Sequence, residues 1–179
     1  MMSLLQRFDD SILLFVKYNM HGFIMDKVMV LATYLGNGGI IWIIIAVILI
    51  CNKKYRKVGF MALAALMLSA ILGNEVLKYI FKRARPSQAL ATINLLITRP
   101  LSYSFPSGHT MTSFAVAGVL AKCFKKYAIE FISLASLIAF SRVYLYVHYP
   151  TDVLAGAILG LVCSSKIGRA SCRERVWIK

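Results

Sequence analysis

Ile40-Ile-Trp-Ile-Ile-Ile-Ala-Val-Ile-Leu-Ile50 is the run that decides the fold. It lies within Val28 to Asn52, a stretch without a single charged side chain. At about 1.5 Å per residue, a helix from Tyr34 to Cys51 nearly crosses a hydrocarbon core about 30 Å thick. Four more apolar runs follow: Val58 to Lys78, Ser107 to Ala121, Tyr127 to Tyr146 and Thr151 to Ser165. Residues 1–27 are ambiguous. Leu4 to Tyr18 has apolar residues at helical spacing with Arg7, Asp9, Asp10 and Lys17 between them, as in an interfacial helix or an imperfect sixth span. The expectation is an all-α, polytopic membrane bundle of five to six transmembrane helices, forming one domain over residues 1–166.

Composition points the same way. Of 179 residues, 59% are hydrophobic and 16% charged, where soluble domains are about half apolar and about a quarter charged. A formal charge of +14 could suggest nucleic acid. However, the cations flank apolar spans, where Lys and Arg mark cytoplasmic loops or meet anionic head groups, so no nucleic-acid partner is expected. The cysteines Cys51, Cys123, Cys163 and Cys172 show no CxxC spacing, which argues against a zinc or disulfide framework. The last thirteen residues, 167–179, are Arg-rich and aperiodic. They resemble a translated sequencing adapter and are expected to be a non-native tail.

Charge also orients the spans. Lys53, Lys54, Arg56 and Lys57 form one cluster, and Lys122, Lys125 and Lys126 another. With alternating spans, both clusters fall at one membrane face, cytoplasmic by the positive-inside rule. Three polar stretches then meet at the opposite face: Lys78 to Pro86, Pro106 to His109, and Ser141 to Asp152.

The residue types in these stretches suit a phosphate ester. Lys78, Lys82 and Arg85 are spaced to share one helix face, which Pro86 would end. Alone they would read as snorkelling cations. Ser107 and Gly108 open a helix whose free amides and dipole favour an anion. His109 lies just inside that helix, where an ionisable group is functional by default. Arg142 can grip two phosphate oxygens. Asp152 follows His148 closely enough to fix its tautomer and activate it as a nucleophile. The acids are Asp9, Asp10, Asp26, Glu75, Glu130, Asp152 and Glu174, and only Asp152 is expected in a loop at this face. That is too few for a magnesium or two-metal site, so neither metal nor cofactor is expected.

These stretches resemble the type-2 phosphatidic acid phosphatase family of lipid phosphate phosphatases, which shares a helical core with vanadium haloperoxidases. The family pattern K-x6-R-P, P-S-G-H and S-R-x5-H-x3-D reads here as Lys78…Arg85-Pro86, Pro106-Ser107-Gly108-His109 and Ser141-Arg142…His148…Asp152. The resemblance implies that His148 attacks phosphorus, Asp152 orients it and His109 protonates the leaving oxygen. Lys78, Arg85, Ser107, Gly108 and Arg142 would hold the phosphoryl oxygens. The implied substrate is a lipid phosphate such as undecaprenyl diphosphate, phosphatidylglycerol phosphate or phosphatidate. The implied setting is a bacterial plasma membrane with an extracytoplasmic active site. Two alternatives stand beside it: a phosphotransferase using the same phosphohistidine, and a non-catalytic membrane protein that binds anionic lipid.

Overall fold

The computed structural model describes residues 4–89 and 95–172. Its elements are α1 (Leu4–Asn19), α2 (Phe23–Gly36), α3 (Ile40–Cys51), α4 (Arg56–Phe81), α5 (Gly108–Cys123), α6 (Ala128–Tyr144) and α7 (Pro150–Cys172), with a short helical turn at Pro86–Ala89. The fold is all-α. Four helical segments are long and apolar enough to cross a membrane: Phe23–Cys51, Arg56–Phe81, Lys125–Tyr144 and Pro150–Gly168. Their lateral surfaces carry exposed Ile44, Ile48, Phe60, Met67, Ile129 and Leu154, side chains suited to lipid.

The first span is longer than its sequence suggests. It begins at Phe23 rather than near Tyr34 and bends between α2 and α3. Gly38 (φ 58°) and Gly39 (φ 73°) take left-handed backbone there, which costs a residue with a Cβ. The bend sets Asn37 at the head of the bundle.

At the centre is α5, with Met111, Ala115, Val116, Ala117, Val119 and Leu120 all buried. It has 16 residues and is about 24 Å long, and α4, α6 and α7 surround it. Small residues bring α5 and α7 together. A Cβ on Gly160 would lie 2.4 Å from the Met111 carbonyl oxygen, so the backbones meet where only hydrogen fits. Trp42 of α3 donates to Ser113 Oγ of α5 at 2.9 Å, which satisfies both groups in the apolar interior.

The two basic clusters lie at one end of the bundle, as span alternation requires. Tyr55 and Phe124, from the turns beside them, pack with ring centroids 5.3 Å apart. At the other end, α1 crosses over the α6–α7 connection. Leu13 O accepts a hydrogen bond from the Tyr146 hydroxyl, and Met20 O one from the Tyr144 hydroxyl at 3.2 Å. Its outer face exposes Leu4, Leu5, Phe8, Phe15 and Tyr18. Of the two expectations for this region, these contacts and the exposed apolar face favour the interfacial helix.

One local reading is corrected. Lys78, Lys82 and Arg85 do not share a helix face. The helix ends at Phe81, Lys82 adopts a left-handed backbone (φ 44°) and is exposed, and residues 82–85 leave the helix. Pro86 disfavours helical geometry in the residue before it, and both arginines of this segment find partners outside α4. At the far end, α7 continues to Cys172, past the expected boundary at residue 166. The remainder of the expected non-native tail, residues 173–179, lies outside the described residues.

Candidate active site

The three motifs converge at the end of the bundle beneath α1. A cavity of about 340 Å³ opens there, lined by Lys78, Arg85, Gly108, His109, Arg142 and His148 among others. Six of the eight expected site residues thus border one space. The other two, Ser107 and Asp152, are fully buried and do not line it.

The cavity side is cationic. Arg85 is fixed by carbonyls: Nε donates to Ser102 O at 2.6 Å, Nη1 to Val147 O at 2.8 Å and Nη2 to Tyr103 O at 3.2 Å. Lys78 Nζ donates to Ser102 Oγ at 3.3 Å. Arg142 Nη1 donates to Thr33 Oγ1, whereas its buried Nε has no hydrogen-bond partner among the described residues. A buried guanidinium N–H without an acceptor is costly, and an anion in the cavity would relieve it.

Arg85 also decides the state of His148. Its Nη1 lies 3.0 Å from His148 Nε2 and can only donate, so Nε2 is the acceptor and carries a lone pair. Burial first, and then Arg85, Arg142 and Lys78, push the imidazole well below its ordinary value of 6.5. It is therefore neutral at physiological pH, with its proton on Nδ1. Burial lowers Arg85 to about 10, against the opposing pull of Asp152, so it stays charged.

His109 faces the cavity from the first turn of α5. Its Nε2 is 2.7 Å from Asn37 Oδ1, an acceptor, so Nε2 carries a proton in the resting site. Asn37 has no charge and sits in a run that reads as pure span, so sequence reasoning passed over it. Its signal was a lone amide between glycines. Gly108 lets the Asn74 side chain approach closely, since a Cβ there would meet Asn74 Oδ1 at 2.6 Å.

Ser107 begins α5, but its hydroxyl makes no capping bond. Instead it accepts from Thr110 Oγ1 at 2.9 Å, and its amide donates to Asp152 O at 3.1 Å.

Behind His148 the chemistry reverses. Asp152 Oδ2 stands 3.7 Å from His148 Nδ1, beyond a direct hydrogen bond. Ser104 bridges them: its hydroxyl donates to Asp152 Oδ2 at 2.5 Å and lies 3.4 Å from His148 Nδ1. The Tyr149 amide also donates to Oδ2, at 3.0 Å. Arg83 Nη1 donates to Asp152 Oδ1 at 2.6 Å, and Arg83 Nη2 to Asp9 Oδ2 at 2.6 Å. Burial lowers the Arg83 pKa, but Asp9 and Asp152 outweigh it and raise the group above its ordinary value. This corrects the carboxylate reading: Asp152 is not the only acid at this face, because α1 delivers Asp9, fully buried.

A PAP2 superfamily profile matches residues 59–168, more than half of the chain and the whole of the three-motif region. The chain belongs to the PAP2 superfamily. This PAP2 chain is 36% identical over 121 residues to an undecaprenyl-diphosphatase of Sulfolobus acidocaldarius, a match covering 67% of the chain and 58% of the relative. The chain thus spans less than two thirds of that relative's length. Among solved structures, it superposes with a TM-score of 0.80 on a transmembrane PAP2-type phosphatidylglycerolphosphate phosphatase from Bacillus subtilis. Identity is 27%, with 98% of this chain and 90% of that one covered. A bacterial vanadium-dependent iodoperoxidase shares the fold with a TM-score of 0.62 and 21% identity, over 72% of this chain and 38% of its own. The PAP2 fold and the shared core with haloperoxidases are those the motifs implied.

Proposed function

We propose that this protein is a metal-independent membrane lipid phosphatase that hydrolyses a lipid phosphomonoester or diphosphate through a phosphohistidine. Undecaprenyl diphosphate, phosphatidylglycerol phosphate and phosphatidate are the candidate substrates. The observation that carries this reading is the cavity itself, where a neutral His148 Nε2 stands beside Arg85 and the unpartnered Nε of Arg142.

The reaction runs in two displacements. With the phosphate's negative charge in the cavity His109 carries a proton on both nitrogens; the His148 Nε2 lone pair attacks phosphorus, the bond from phosphorus to the lipid oxygen breaks, and His109 gives its Nε2 proton to that oxygen and is left neutral. Lys78, Arg85 and Arg142 stabilise the charge on the phosphoryl oxygens, and the Gly108 amide at the start of α5 adds to them. Ser107 does not line the cavity, so its part is smaller. Water then attacks phosphorus and gives a proton to His109, the P–N bond breaks, and phosphate leaves with His148 neutral again. Asp152 and Ser104 stabilise the positive imidazole ring between the two steps. Asp9 and Asp152 are both engaged by Arg83, and among the described residues no three of His, Cys, Asp and Glu gather as a metal site. The basic clusters at the opposite end support an extracytoplasmic cavity under the positive-inside rule.

The test is phosphate release from the three candidate lipids by purified protein. His148→Asn keeps size and polarity but cannot attack, so release falls to background while the protein still inserts and stays monodisperse. Full hydrolysis by that variant would make this a cation-rich lipid binder carrying a contaminating activity. A chelator leaves the wild-type rate unchanged, and a strict Mg²⁺ requirement would defeat the metal-free mechanism.

A further inference from the structure

Asp9 lies outside the three motifs and outside the matched region 59–168, yet it is among the most thoroughly bonded groups at the site end. It is fully buried. Oδ1 accepts from the Thr151 amide at 2.9 Å, and Oδ2 accepts from Thr151 Oγ1 and from Arg83 Nη2, both at 2.6 Å. Arg83 reaches on to Asp152 Oδ1 and to Thr151 Oγ1 at 2.8 Å, with its guanidinium 4.0 Å above the Tyr149 ring. The guanidinium is thus locked between two carboxylates, one on α1 and one on α7.

We propose that Asp9 is a positioning residue for the reaction at His148, acting through Arg83 to orient Asp152 and to keep it an effective counter-charge. The inference rests on the reading of His148 as nucleophile. The argument from geometry is that Asp152 has two oxygens with separate duties. Arg83 fixes Oδ1, which leaves Oδ2 aimed at Ser104 and His148 Nδ1. The argument from charge is stronger. Lys78, Arg85 and Arg142 depress His148 electrostatically, and Arg83 adds a fourth cation bonded directly to the carboxylate meant to offset them. Arg83 alone would neutralise Asp152. Asp9 neutralises Arg83 in turn, so the ring of His148 still has net negative charge behind it when phosphorylation makes it positive. The carboxylate comes from an interfacial helix whose outer face is apolar, so this support depends on α1 lying across the site end.

A purely structural Asp9 would only pin α1 to α7. The two roles separate in kinetics on phosphatidylglycerol phosphate in mixed micelles, once wild type is shown to release phosphate. Asp9→Asn retains the shape and most hydrogen bonds but drops the charge. It lowers kcat about 10- to 100-fold, the usual effect of losing an outer partner, with KM within about twofold of wild type. Asp9→Glu recovers part of kcat. An Asp9→Asn protein that is folded and monodisperse with wild-type kcat overturns the proposal, as does a change in KM alone. Should Asp9→Asn fail to fold, Arg83→Lys reads the same link, since an ammonium cannot bridge two carboxylates in this geometry. The same kcat loss there supports the proposal, and unchanged kcat overturns it. A wild-type protein inert on all three candidate lipids defeats the functional reading first, before any variant is compared, and this inference falls with it.

Discussion

The two sides of His148 are built on opposite principles. In front, three cations border an open cavity, and among the described residues one guanidinium nitrogen lacks a partner and no carboxylate lines the space. Behind, Asp152, Ser104, Arg83 and Asp9 form a continuous hydrogen-bonded network beneath α1, with both carboxylates fully buried. A front left wanting an acceptor is primed for an anion. A back this densely bonded holds one ring in one tautomer. The difference teaches that the site separates binding from orientation: incomplete bonding serves the first and complete bonding the second.

Substitutions on each side should therefore fail differently. The largest effect, after loss of the nucleophile itself, belongs to the front. Arg85→Lys keeps the charge but loses the fork that spans Ser102, Tyr103, Val147 and His148. We expect kcat/KM to fall about 100- to 1,000-fold, as for loss of a donor aimed at developing charge. A loss below about tenfold in steady-state kinetics would mean that Lys78 and Arg142 suffice. A smaller effect belongs to the back. Ser104→Ala removes the bridge to Asp152 and should lower kcat about tenfold with KM unchanged. A change confined to KM would erase the distinction between the two sides.

The smallest effect is on stability. His148 has a lower pKa in the fold than in the unfolded chain, because burial and the front cations resist its protonation. The unfolded chain therefore binds more protons below about pH 6.5, and stability falls as pH drops through that value, by up to about 1.4 kcal/mol per pH unit. The decline continues until the pH reaches the folded value, well below 6.5. Thermal unfolding in detergent between pH 7 and pH 5 should show this slope in wild type and a shallower one in His148→Asn. Equal slopes would mean that another group dominates.

Much of the front was legible in the chain. Lys78, Arg85, His109, Arg142 and His148 are charged or ionisable groups at the ends of apolar runs, and each is expensive there without a purpose. The back was not. Ser104 sits in a long loop with nothing local to distinguish it. Arg83 reads as one more loop cation. Asp9 reads as one of two adjacent acids on an amphipathic helix, although Asp10 is only partly buried and Asp9 fully so.

The sequence by itself determined the membrane class, the apolar runs that become the main helices, and the convergence of three motifs at one face. Hydropathy and charge are sums over neighbouring residues, and span parity follows from counting. Only the tertiary structure decided that Arg83 is shared by two carboxylates, that Ser104 stands between Asp152 and His148, and that α1 closes the site. Those bonds join residues up to 142 positions apart, as between Thr151 and Asp9, through directions that no local pattern encodes. The reason is physical: burying a carboxylate depends on finding donors within about 3 Å, and which donors arrive is settled by packing.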